Sequence, residues 1–107
     1  MEHIRGSTFK KICTYKNNEL VPQDLTNISI RSQIRTKESE LIADISITKL
    51  PQTGLTLGQY LMQVSNTQGW LAGTASIDIE YTELSNIVIT ERASILIKEQ
   101  VTKPVGQ

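Results

Sequence analysis

Thr74-Ala-Ser-Ile-Asp-Ile-Glu-Tyr-Thr82 is the stretch that decides the fold of this chain. Ala75, Ile77, Ile79 and Tyr81 fall on one side of an extended backbone, and Ser76, Asp78, Glu80 and Thr82 fall on the other. A strict period of two, with β-branched and aromatic residues on the apolar side, marks a half-buried strand. Residues 83–86 separate it from a second β-rich run at 87–101, so the two are predicted to pair as a hairpin. In that second run Ile87, Ile89, Ala93, Ile95, Ile97 and Val101 share a face with Glu91, while Val88 and Leu96 point the opposite way. A bend over residues 90–93 is expected to split it into two strands.

The flanking segments repeat the pattern. Within residues 25–36, Ile28, Ile30 and Ile34 share a face with Ser32, against Asn27, Ser29, Arg31, Gln33 and Arg35. After the charged turn Lys37-Glu-Ser-Glu40, residues 41–49 place Leu41, Ala43, Ile45 and Ile47 inward and Asp44, Ser46 and Thr48 outward. Two such runs indicate a sheet with one wet side. Residues 55–64 are ambiguous: Leu57, Tyr60, Leu61 and Val64 fit a helical stripe, whereas Tyr60, Met62 and Val64 fit a strand face. Gly58 in a helix interior costs about 1 kcal/mol relative to Ala, which favours a strand over 59–64 followed by one helical turn at 65–68.

Towards the start, residues 7–15 form a less regular strand. Phe9, Cys13 and Tyr15 share a face that Lys11 interrupts, the pattern of an edge strand or a bulge. Lys16-Asn-Asn-Glu19 is a turn, and Pro22 keeps residues 20–26 extended. Residues 1–6 and 103–107 are expected to be flexible ends, with the leader either fraying or lying along a sheet edge. Six to seven short strands at this length predict a single domain over residues 1–107, an antiparallel immunoglobulin-like β-sandwich, with a small barrel as the alternative.

The chain has 107 residues, enough for one modest core and not for two. Eleven basic and eleven acidic residues cancel. That balance argues against nucleic acid as a partner, because phosphate binding needs clustered positive charge. With one cysteine, Cys13, no internal disulfide forms, and folding in a reducing cytoplasm is expected. No apolar run has the length of a membrane span.

Chemistry-bearing residues are sparse. His3 is the sole histidine and lies in the leader, away from any nucleophile; with one His and one Cys, a zinc site of nitrogen and sulfur ligands is excluded. Cys13 reads as a small core residue. Asp78 and Glu80 stand roughly 7 Å apart on one strand face, where a solvated surface accounts for them better than a glycosidase pair. Asp44, Asp78 and Glu80 would bind calcium only if their strands were adjacent, and the spacing of a calcium loop is absent. Trp70 is read as a core plug, with the alternative of an exposed ring that stacks on a sugar or anchors a partner. Gly54-Leu-Thr-Leu-Gly58 has neither the spacing nor the lysine of a phosphate loop. A non-enzymatic protein without metal or cofactor is expected. Arg31 and Arg35, on one polar face with Gln33 between them, are candidate partner contacts together with Trp70.

Several segments taken together resemble a family. Gly6-Ser-Thr-Phe9, then Leu20-Val-Pro-Gln-Asp-Leu-Thr-Asn27 leading into Ile30-Arg-Ser-Gln-Ile-Arg35, is similar to the opening of small phage tail domains. Trp70-Leu-Ala-Gly73, Ile77-Asp-Ile-Glu-Tyr81 and the strand from Thr90 to Thr102 resemble their closing strands. Such domains occur at the amino terminus of baseplate upper proteins and in tail-fibre attachment proteins of phages and prophages. The chain departs from the pattern at Ser7, at Asn18-Glu19 and at Asn27. The resemblance implies an immunoglobulin-like β fold and a structural, non-enzymatic role in the virion tail, after synthesis in the bacterial cytoplasm. Its implied partners are other tail or baseplate proteins or further copies of the chain, with neither nucleic acid nor membrane. The competing expectation is a carbohydrate- or receptor-binding β domain that uses Trp70, which requires that ring to be exposed.

Overall fold

A computed structural model describes residues 1–83 and 88–99 and arranges them in seven strands. These are β1 (Glu2–Ile4), β2 (Phe9–Thr14), β3 (Ile28–Thr36), β4 (Leu41–Lys49), β5 (Gln59–Val64), β6 (Gly73–Glu83) and β7 (Val88–Lys98), with a 3₁₀ turn at Gly54–Thr56. The alternating stretch is β6. Its apolar residues Ala75, Ile77, Ile79 and Tyr81 are all buried, because an extended backbone sends every second side chain to the same face. It pairs antiparallel with β7 from Gly73↔Ile97 to Thr82↔Val88, the predicted hairpin; the connection at 84–87 lies outside the described residues. The bend expected over 90–93 is absent, and β7 runs unbroken. Glu91, the polar residue on its apolar side, remains exposed, so the alternation continues without burying a charge.

All seven strands belong to one sheet in the order β1-β7-β6-β3-β4-β5-β2. Every neighbouring pair is antiparallel except β1 with β7, which is parallel. β4 turns the corner. Residues from Leu41 to Ile45 pair with β3, and those from Ser46 to Lys49 pair with β5. The β5–β2 side therefore folds over the β3–β6–β7 side. Tyr60 of β5 meets Tyr81 of β6 hydroxyl to hydroxyl at 2.5 Å, and the ring of Tyr15 stacks on Tyr81 at 4.3 Å. At the far side the two ends of the sheet approach each other, with the rings of His3 and Phe9 5.4 Å apart. The all-β expectation holds, but a single sheet coiled nearly into a barrel stands where two separate sheets were expected.

The core is formed by Phe9, Leu25, Ile34, Met62, Ile77 and Ile95, among others, with Tyr60 and Tyr81 at its centre. Burying one such aliphatic side chain contributes about 1.5–3 kcal/mol. Three local expectations differ from the structure. The leader forms β1, with Leu96 N–H donating to Met1 O at 2.9 Å and Arg5 N–H donating to Lys98 O at 2.8 Å, so of the two expectations it lies along an edge and is not a flexible end. Residues 65–67 are irregular where a helical turn was expected, Asn66 Oδ1 accepts from Gln68 N–H at 3.0 Å, and a turn at Gln68 and Gly69 is closed by Trp70 N–H donating to Thr67 O at 3.1 Å. On β4, Leu41 is exposed and Ala43 and Ile47 only half-buried, because this strand lies at the corner. Residues 103–107, expected to be flexible, lie outside the described residues.

Candidate functional site

The sequence-predicted contact residues separate into two places. Arg31 and Arg35 project from the outer face of β3. Arg35 is held: its guanidinium donates to Ser39 O at 2.9 Å and to Gln33 Oε1 at 2.7 Å. Gln33 in turn donates to Asp44 Oδ1 at 2.8 Å on the neighbouring strand. Arg31 is exposed and sits opposite Glu80 in the β3–β6 register. With Gln33, Asp78, Glu80 and Thr90 it lines a depression of about 240 Å³. Asp78 there accepts from Arg92 at 2.7 Å, and this ion pair holds the Arg92 guanidinium above its usual pKa. Asp78 and Glu80 share a depression, but on the water-facing side of the sheet. Among the described residues no cluster of His, Cys, Asp and Glu is close enough to hold a metal ion.

Trp70 lies elsewhere and is only 3% exposed. Its ring packs at 5.2 Å from His3 and 5.8 Å from Phe9, plugging the end of the barrel where β1 and β2 meet. The exposed Trp70 on which sugar or receptor stacking depended is not what the structure places there. A ring so enclosed by its own chain leaves no face for a ligand. Trp70 and the two arginines are not brought together.

His3 also differs from expectation. It is half-buried, with Nε2 3.1 Å from Ser7 O and 3.3 Å from Thr67 Oγ1. Thr67, fully buried, donates to Ser7 O at 2.6 Å and accepts from Gly6 N–H at 2.8 Å. At the opposite end Gln52 plays a similar part. Its Oε1 accepts from the N–H groups of Leu25 and Gly58, and its Nε2 donates to Leu50 O and Gln59 O. Neither residue has a sequence signature, because the partners are backbone groups whose proximity only the fold creates.

The third place, which motif reasoning missed, is the seam between the ends of the sheet. Among the described residues, β2 pairs with β5 along one edge only, and β7 pairs with β1 only from Leu96 to Lys98. Between the free edges lies a trough of about 300 Å³. It is lined by Lys11 and Cys13 of β2, by Glu91 and Ala93 of β7, and by the core residues Met62, Ile77 and Ile79. Lys11, which interrupts the apolar face of the first strand, was the sequence signal for this edge. Inward-facing charges on edge strands oppose indiscriminate pairing.

No protein-family model matches the chain, and no curated protein matches its sequence.

Proposed function

We propose that this chain is a structural, non-enzymatic component of a phage or prophage tail, a baseplate or tail-fibre attachment module that acts through protein–protein contacts. The observation that carries the proposal is the seam, where among the described residues two strand edges have no strand partner over an apolar trough, a feature suited to contact with another chain. The similarity of Gly6-Ser-Thr-Phe9, the Leu20 to Arg35 segment and the β6 strand to phage tail domains supports the same role. The immunoglobulin-like arrangement belongs to this proposal and is supported by the corner in β4, across which the two halves of the sheet face each other. Balanced charge, with eleven basic and eleven acidic residues, suits a subunit that packs into an assembly.

Immunogold labelling and mass spectrometry of tails purified from the source culture test the proposal. The chain is expected in purified tails at a fixed ratio to the other tail proteins. Its recovery only as free protein, with none in the particles, would overturn the assignment.

A further inference from the structure

The geometry points to the seam as a lane for one extended segment of a partner protein, running parallel to β7 and bonded to β7 and β2 at once. This deepens the assembly role proposed above and rests on it for the existence of a partner. β1 already occupies one end of the lane: Glu2, His3 and Ile4 pair with Leu96, Ile97 and Lys98, and Met1 O accepts from Leu96 N–H. Residues 89–94 of β7 continue beyond Met1 with no strand on that side among the described residues. Because N–H and C=O of one residue point to the same edge, the Leu96 and Lys98 bonds to the leader place the free groups on Thr90, Arg92 and Ser94.

Direction also fits. Five antiparallel steps separate β7 from β2 in the sheet, so the two strands run oppositely. A segment parallel to β7 is therefore antiparallel to β2, and its insertion closes the barrel. The occupant must have both of its own edges free. A strand inside a second folded copy has one edge already taken, so it reaches β7 or β2 but not both. Two β7 edges paired about a two-fold axis centred on the free stretch would set Glu91 on Glu91 or Arg92 on Arg92, a like-charge opposition. An isolated linker or terminus of another protein satisfies both edges.

The lining fixes the side chains. In the β1 ladder His3 and Ile97 both face inward, so occupant residues opposite Ala93, Glu91 and Ile89 face the trough and the intervening ones face water. Ala93 is small, and the space above Met62 and Ile77 takes a large aliphatic residue. The position opposite Glu91 lies between that carboxylate and Lys11, a pair of opposite charges that matches a neutral polar side chain such as Thr.

The test uses the full chain and the peptide acetyl-Val-Lys-Thr-Glu-Leu-Lys-amide, with Cys13 as reporter because it lines the trough. At ten times its dissociation constant the peptide should slow Cys13 modification by a thiol reagent about tenfold, by mass action. It should also protect the amides of Thr90, Arg92 and Ser94 from exchange. A peptide with Ser in place of Val and Leu should do neither, and Ala93→Leu, checked for folding by circular dichroism, should abolish the effect. Unchanged Cys13 reactivity at millimolar peptide, equal protection by the Ser peptide, or shielding of Cys13 that rises with protein concentration alone would overturn the inference, the last by making a second copy the occupant. A chain present in tails whose seam ignores the peptide refutes only the lane, whereas peptide binding by a chain absent from tails refutes only the tail assignment.

Discussion

Tyr60 and Tyr81 show how single residues set a property of the molecule. Both hydroxyls are buried and bonded to each other, so neither phenolate can be solvated. Burial pushes both phenols up, Tyr81 to about 12, and the bond to Tyr81 raises Tyr60 further. An unfolded tyrosine ionises near pH 10, by ordinary model values. The folded state thus holds protons that the unfolded state releases above that pH. The resulting stabilisation is complete below about pH 10 and is lost as pH rises towards 12. Titration at 295 nm is expected to show these two phenols ionising together with the loss of near-ultraviolet circular dichroism, while Tyr81→Phe leaves one fewer ionising group in that step. Smooth ionisation of all the tyrosines near pH 10 in a protein that stays folded would contradict the buried pair. The sequence placed Tyr81 on the apolar side of its strand, but the partner hydroxyl, 21 residues away in sequence, was not legible.

Between elements, stability depends on side chains that satisfy backbone groups. Gln52 joins the segment before β3 to the start of β5, its amide making four bonds to main-chain atoms. Gln52→Ala leaves the N–H groups of Leu25 and Gly58 without that acceptor and is expected to lower stability by about 1–3 kcal/mol in urea unfolding. Arg92→Ala removes an exposed ion pair on the outer face and should change stability by less than about 1 kcal/mol. Equal losses for the two would contradict this ranking. Gly58 is part of the same joint: its φ is +79°, and a Cβ there would lie 3.0 Å from Tyr15 O, which explains a glycine that sequence reasoning treated only as a helix breaker. The strands β3, β4 and β6 were legible because their alternation is local, whereas β5 shares a helical stripe and reads as a strand only because Gly58 disfavours a helix. β1 was not legible. Three residues, Glu2-His-Ile4, hold too few alternations to read, and their strand forms because β7 offers an edge.

For the whole molecule, strand order was beyond the sequence. Alternation indicates which face of a strand is buried but not which strand lies beside it, and the same pattern suits a sandwich or a coiled sheet. What coils this sheet is the corner in β4, where one strand changes neighbours after Ile45. The site was legible in part: Lys11 marked an edge, but the matching free edge of β7 was expected to be broken by a bend. Trp70 was read first as a core plug and is one, whereas its alternative role needed a surface the fold does not give it.

The open seam is the claim on which the contact role depends, and amide hydrogen exchange of the isolated chain tests it most directly. Along residues 89–95, the amides of Ile89, Glu91, Ala93 and Ile95 point to β6 and should be protected, while those of Thr90, Arg92 and Ser94 point into the seam and should exchange rapidly. Uniform slow exchange along this stretch in the free monomer would show a closed barrel and contradict the account.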